Sequence, residues 1–489
     1  MNSGSDKEIC FMSGRELAAL IRERKLSSRE VMSAFLRQIA RVNPKINAIV
    51  AKLDDEECLR LAGDADARLA RGEKVGPLHG LPFAFKDLDP AVGFPLTRGS
   101  TIFRDFMPTE DSVLVERLRR GGVIVIGKTN VSEFGMGSHT YNEVYGTTLN
   151  PYDLTKTAGG SSGGAGAALA AGLLPLASGS DLGGSLRNPA NFNNIVALRP
   201  TVGLVPSAPT ALPFLGFSVK GPMARSVGDV SFLLSAMAGA DQRDPAVYPS
   251  DPRLFAEPLA RDFKNVRVAW SVDLGGLPVD RRVRSVLEAQ RKTFSDLGCI
   301  VDDTCPDLAG ADEIFLTLRA WSYWHTLGPL LKEHRQQMKQ EAIWQIQSGS
   351  KLTGSDVANA MARHGELMQR MRLFQEKHEF LVCAVNQVPP FDATIHWPRE
   401  IEGVQMEHYI AWMKSAYWIT PTFCPAISVP AGFTAEGLPV GIQIVGRYRA
   451  DFDLLQIAHA LEQATGFGKK PPEIALAQSS CAPFDSAPG

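Results

Sequence analysis

The sequence predicts an α/β fold: a central, mixed β-sheet covered by helices on both faces. Three observations lead there. Short β-branched runs, VIVIGKTN, IVALRPTVGLV, VRVAWS and PVGIQIVG, read as strands. Between them stand helical patterns such as DSVLVERLRRGG, VGDVSFLLSAMAG, VDRRVRSVLEAQRKTFSDLG and DFDLLQIAHALEQAT, and this alternation is the mark of α/β architecture. Finally, 489 residues at 44% hydrophobic and 21% charged leave room for two or three domains, or for one large α/β domain with insertions.

The elements follow in order. Ser13-Gly-Arg-Glu16 and Ser27-Ser-Arg-Glu30 each read as a capping box opening a helix. In the second helix Val31, Phe35, Ile39 and Val42 form one apolar face. INAIVAKL reads as a strand, ECLRLAGDADARLARG as a helix stopped at Gly72, and GLPFAFKD as a short apolar strand ending in charge. SGGAGAALAAG is a small-residue helix, and LLPLASGSD is extended again. From about 310 to 380 the pattern is helical and rich in Trp and Met, an insertion beside the sheet. The expected layout is an N-terminal helical region over 1–75, a core over 76–310, the insertion over 311–400, the rest of the core over 401–468, and a Pro/Ser-rich tail over 469–489.

Composition excludes several functions. The net charge is −2 and no Lys/Arg block stands out, so no nucleic-acid partner is expected. Seven scattered cysteines without a Cys-x-x-Cys pair argue against a disulfide framework and a zinc cage. The N-terminus lacks an apolar signal core, and no apolar run reaches the roughly 18 residues needed to span a bilayer. The expectation is a cytoplasmic protein that binds neither membrane nor metal.

Residues 157–187, TAGGSSGGAGAALAAGLLPLASGSDLGGSLR, carry the chemistry. A linker would not enclose an apolar helix-then-strand segment. A phosphate loop needs a Lys after its glycines, and Leu169 stands where a dinucleotide fingerprint requires its third glycine. Gly159-Gly-Ser161-Ser-Gly163 matches the G-x-S-x-G nucleophile elbow, but it follows the polar NPYDLTKTA instead of a buried strand. None of His325, His364, His396 or His459 sits in a Gly-rich or strand-end context. The remaining reading is a serine hydrolase without histidine. Small residues before Ser185 let the N–H groups of 182–185 converge into an oxyanion nest. Ser161 could fold back beside it. The base would be a lysine in an apolar setting, for which Lys86 in LPFAFKD is the best candidate; the alternative for such a lysine is a solvated surface charge.

GPLHGLPFAFKD, AGGSSGGAGAALAAG, GSDLGGSLRNPANF and LRPTVGLVPS together resemble the amidase signature family. The spacing is specific: 75 residues from Lys86 to Ser161, and 24 from there to Ser185. The resemblance continues through SVKGPMARSVGDV and CPAISVPAGFTAEGLPVGIQIVG and covers about 13–466. It implies the amidase signature fold and a Ser-cisSer-Lys triad that cleaves amide bonds through an acyl-enzyme, without cofactor. Ser185 would be the nucleophile, Ser161, preceded by a cis peptide bond, the proton relay, and Lys86 the neutral base. The N–H groups of Leu182, Gly183 and Gly184, with Ser185, would form the oxyanion hole. Asp181 and Arg187 would buttress the site, and Gly135, Met136, Gly137 and Ser138 would line the acyl side of the cleft.

The sequence also departs from the family. Leu182 stands where many members carry Thr, NFNN replaces Phe-Cys-Gly, ALRPT replaces Gly-x-Lys-Pro-Thr, and KDLDPAVGFPLTRGS differs from the common loop after the lysine. A related alternative is the A subunit of glutamyl-tRNA amidotransferase. The polar Ser-Leu-Asp-Gln stretch typical of that subunit is replaced here by SAPTALPFLGFSVKGPMARS. A catalytically dead scaffold on the same fold is the non-enzyme alternative, and the intact triad argues against it. The GMGS segment contains no cation to hold a substrate carboxylate. The expected substrate is therefore a neutral, apolar or aryl amide, with esters and carbamates as extras, acted on by a monomer or homodimer. Trp321, Tyr323, Trp324 and Trp344 of the insertion could face it or be core aromatics.

Overall fold

A computed structural model describes residues 6–476. Most of the Pro/Ser-rich tail, 477–489, lies outside the described residues; inside it, Glu473–Leu476 forms a helical turn where the sequence has no periodicity.

Among the described residues the central sheet has eight strands. From one edge they run Ile300–Asp303, Arg267–Trp270, Phe380–Ala384, Pro439–Val445, Ala426–Phe433, Val196–Arg199, Val219–Ala224 and Leu176–Asp181. The first three are parallel and every later neighbour is antiparallel, so the sheet is mixed.

Side chains alternate across a strand, and this divides the core in two. Val196, Leu198, Ile427, Val429, Ile442, Ile444 and Val382 point to one face. There they meet the apolar stripes of helices Val227–Met237, Arg281–Asp296 and Asp451–Thr465. Ala177 and Ala197 point the other way, toward the small-residue helix Gly163–Ala170. Further along that second face Ala269, Leu381, Cys383 and Ala426 meet helices Ala311–His334 and Gly354–Gln375. The insertion is therefore helical as expected, with Gln340–Ser350 between those two helices.

A second sheet of three strands, ordered Ile49–Val50, Ile124–Thr129, Pro82–Lys86, lies alongside the Leu176–Asp181 edge. It brings the end of Pro82–Lys86 to the glycine-serine region.

The elements differ from expectation where a local constraint intervenes. Ser27 makes the full capping box, but at Ser13 only the side-chain half forms. INAIVAKL pairs only over Ile49–Val50, because Asn47 and Ala51 both adopt positive φ. IVALRPTVGLV stops pairing at Arg199, since Pro200 has no N–H to donate. The strands Val219–Ala224 and Ala426–Phe433 each contain a proline, which masks them in the sequence; the second absorbs Pro430 at a register shift. Phe380–Ala384 is a five-residue central strand at the end of the helical insertion.

Candidate active site

Lys86 ends its strand fully buried. Its Nζ donates to Ser161 Oγ and Ser162 Oγ, each at 2.8 Å, and to Ser180 Oγ at 3.0 Å, with the Ser180 carbonyl at 3.4 Å. Among the described residues it forms no ion pair with a carboxylate. Desolvation is the largest influence on it, and the Lys220 charge adds to that; Asp89 and Asp181 pull weakly the other way. Lys86 is thereby brought down to about 7, where an amine is neutral for much of the time at physiological pH.

The glycine-serine stretch wraps this amine. The Gly160–Ser161 peptide bond is cis. Helix Gly163–Ala170 begins two residues later, with Ser162 as its N-cap. Ser162 makes no side-chain cap; its hydroxyl turns to Lys86, while its N–H donates to the Ser185 carbonyl at 3.3 Å. The helix presses on the three-stranded sheet so closely that a Cβ on Gly164 would lie 2.3 Å from the Asn130 nitrogen and 2.6 Å from the Ala48 oxygen. Only glycine permits that approach.

Ser185 sits in the turn between strand Leu176–Asp181 and helix Arg187–Phe192. Asp181 organises the turn, accepting from the N–H groups of Gly184 (2.8 Å) and Leu186 (3.2 Å) and from Arg187 Nε (3.0 Å) and Nη2 (2.9 Å). Arg199 reaches the same carboxylate at 3.2 Å. Burial by itself would raise the Asp181 pKa, but Arg187 and Arg199 outweigh it and hold the carboxyl well below its usual range. Arg199 is the residue that replaces lysine in the ALRPT segment, and sequence reading gave it no role.

This turn narrows the expected oxyanion hole. The Gly184 N–H is committed to Asp181, so it does not point into the cleft as expected; Gly184 instead supplies the turn geometry with φ +114°. The N–H groups of Leu182, Gly183 and Ser185 have no acceptor among the described residues.

Ser161, Ser180, Leu182, Ser185 and Gly135 line one cavity of 270 Å³. Leu88, Phe134 and the loop 202–219, which brings Ser207, Thr210 and Ser218 as well as Val205, Leu215 and Phe217, form its walls, and Ser322, Tyr323 and Thr326 of the insertion close one side. Ser185 and Ser161 face the same space, yet no hydrogen bond joins their hydroxyls. Of the expected acyl-side segment, only Gly135 reaches this cavity. Met136, Gly137 and Ser138 line a separate 20 Å³ pocket with Tyr141 and Lys339. Positive φ at Phe134, Gly135 and Gly137 turns the segment away. Ser138 Oγ instead donates to the Gly160 carbonyl and accepts from Asn188 Nδ2 at 2.9 Å, bracing the turn before Ser161. Of the four insertion aromatics only Tyr323 lines the cavity. Trp321 and Trp324 border another pocket, and Trp344 packs on His408 and Tyr409. Sequence reading missed Ser162, Ser180 and the loop 202–219. Ser162, next to the expected relay, and Ser180, five residues before Ser185, were the available signals; for the loop there was none.

Among the described residues no cluster of His, Cys, Asp or Glu could hold a metal ion, and no helix is long and apolar enough to cross a membrane.

The fold thus sets a buried lysine–serine cluster at the edge of a mixed α/β sheet, beneath a cavity. The family profile described as Amidase matches residues 30–455, and the chain belongs to the amidase signature family. An acylamidase of Rhodococcus erythropolis is 36% identical over 480 residues, spanning 96% of this chain and 99% of its own. The A subunit of glutamyl-tRNA(Gln) amidotransferase from Dechloromonas aromatica is 31% identical over 483 residues, covering 94% of this chain and 98% of its own. The crystal structure of a bacterial aryl acylamidase of the amidase signature family superposes with TM-score 0.88 at 26% identity, over 96% of this chain and 99% of the other.

Proposed function

We propose that the protein hydrolyses neutral, apolar or aryl amides through an acyl-enzyme on Ser185. The observation that carries this reading is Lys86, a fully buried amine ringed by the hydroxyls of Ser161, Ser162 and Ser180. As the neutral base it takes the Ser161 proton while Ser161 takes that of Ser185, and Ser185 Oγ bonds to the carbonyl carbon. The N–H groups of Leu182, Gly183 and Ser185 receive the oxyanion. Collapse breaks the C–N bond, and the proton returns through Ser161 to the leaving nitrogen. Water then adds to the acyl ester by the same route and releases the acid. Esters and carbamates fit the same sequence of steps.

The substrate class rests on the cavity lining. Asp244 is its one charged residue among those described, and its carboxylate is taken up by the N–H groups of Ser207 (2.7 Å) and Ala246 (3.1 Å). No cation stands ready for a substrate carboxylate, while Leu182, Leu215, Phe217 and Tyr323 offer apolar walls. Similarity to the Rhodococcus acylamidase and the aryl acylamidase structure supports the same reading.

Ser185→Ala is expected to abolish turnover of a p-nitroanilide while the protein stays folded, and a fluorophosphonate adduct should map to Ser185. An adduct on Ser161 would overturn the nucleophile assignment. Strong glutaminase activity, or dependence on a partner subunit, would favour an amidotransferase subunit instead.

A further inference from the structure

A part-buried ion pair stands beside the base. Asp89, three residues beyond Lys86, is fully buried, and its N–H donates to the Lys86 carbonyl at 2.9 Å. Its Oδ1 accepts from Lys220 Nζ at 2.5 Å, while Oδ2 is buried with no partner among the described residues. Lys220 lies on strand Val219–Ala224 directly opposite Ser180, whose hydroxyl and carbonyl hold Lys86 Nζ. The pair thus flanks Lys86 from the turn that follows it and from the strand behind it.

We propose that the Lys220–Asp89 pair sets the pH at which Lys86 becomes a base: Lys220 disfavours a second ammonium nearby, and Asp89 limits that effect. Neither residue lines the cavity, so both are positioning residues that act through charge. The inference rests on the reading of Lys86 as the base. The pair is suited to the task because the Asp89 side chain is 0% exposed and that of Lys220 16%, so water and salt screen its field weakly. The unpartnered Oδ2 leaves the carboxylate charge incompletely satisfied. The other charges around Lys86 are already committed. Asp181 is held between Arg187 and Arg199. Lys128 donates to the Asp89 carbonyl and faces Asp87, and Asp87 is bonded to Thr97. Consistent with this division, repulsion from Lys220 is the largest influence on Lys86 after burial, and Asp89 opposes it.

The test is the acidic limb of the kcat/KM–pH profile on a neutral anilide. Lys220→Met should move the limb to higher pH, and Asp89→Asn to lower pH, each by on the order of one unit. The double variant should return toward wild type, and Lys220→Arg, which keeps the charge, should hold the limb in place. Limbs that stay put in both single variants, or move the same way, would overturn the inference and leave the pair a purely structural one. If Asp89→Asn does not fold, Lys220→Met against Lys220→Arg decides alone. Lys86→Ala separates the two levels: substantial activity in that variant removes the lysine base itself, whereas a dead Lys86→Ala with unmoved limbs removes only the role of the pair.

Discussion

At Lys86 the deciding physical quantity is solvation. An ammonium buried among hydroxyls loses its water and gains no counter-ion, so the neutral form is favoured. The sign of the pH dependence follows. In the proposed mechanism the base works as the free amine, so kcat/KM should fall about tenfold per unit as pH drops below the Lys86 value near 7 and level off above it. A pH–rate profile measures this, and a flat profile through that range excludes Lys86 as the base. Lys86→Arg should lose roughly 10²–10⁴ in kcat, because a guanidinium stays protonated and cannot accept the Ser161 proton. Retained turnover in that variant would place the base elsewhere.

The glycine-serine helix and the cavity wall act at the level of elements. Helix Gly163–Ala170 is so small-faced that it seats against backbone, and Gly164 is where the seat is tightest. Gly164→Val puts two methyl groups where the Asn130 and Ala48 main chain already stands. Main chain cannot swing aside as a side chain does, so a loss of at least roughly 3 kcal/mol is expected in urea unfolding. A change below 1 kcal/mol would show that the helix can shift, and the relay with it. Tyr323 makes a different kind of contribution. Arg319, one turn earlier, lies 5.1 Å from its ring centroid and fixes the side of the cavity that the insertion closes. Tyr323→Ala should raise KM for an aryl amide roughly three- to tenfold with kcat little changed. An unchanged KM on aryl and small aliphatic amides alike would take Tyr323 out of substrate binding.

Across the molecule as a whole, Asp181 ties the central sheet to the Ser185 turn. Its carboxylate gathers Arg187, which also reaches the Ala416 carbonyl in the short helix Lys414–Tyr417 and Gln443 on the strand Pro439–Val445, and Arg199 at the end of the strand Val196–Arg199. Because its folded pKa lies below the unfolded value of about 3.9, its stabilisation is complete above that value and is lost as pH falls below it. Asp181→Asn leaves two buried guanidiniums without their counter-charge and should cost roughly 3–5 kcal/mol at neutral pH. Thermal unfolding at pH 7 and at about pH 2 checks this: the variant should be far less stable than wild type at pH 7, with the gap narrowing in strong acid. A variant as stable as wild type at pH 7 would remove Asp181 from that role.

Sequence by itself determined the α/β class, the long helices and the family, and it singled out Lys86, Ser161 and Ser185 as the candidate reaction centre. Those features depend on short-range patterns: apolar period, caps, and the order of Lys86, Ser161 and Ser185 in recognisable surroundings. Strands carrying prolines, Val219–Ala224 and Ala426–Phe433, were not legible, because a proline inside the run argues against a paired strand until its register with its neighbours is seen. Only the structure decided that the Gly184 N–H is turned to the Asp181 carboxylate three residues earlier in the same turn. It also decided that Gly135 alone of its segment meets the cavity, that the loop 202–219 forms the wall, and that Arg199 and Lys220 stand beside the site. The physical reason is common to all of these. Burial, charge pairing and hydrogen-bond satisfaction depend on what surrounds a group in space, and residues outside its own stretch of sequence supply most of those surroundings.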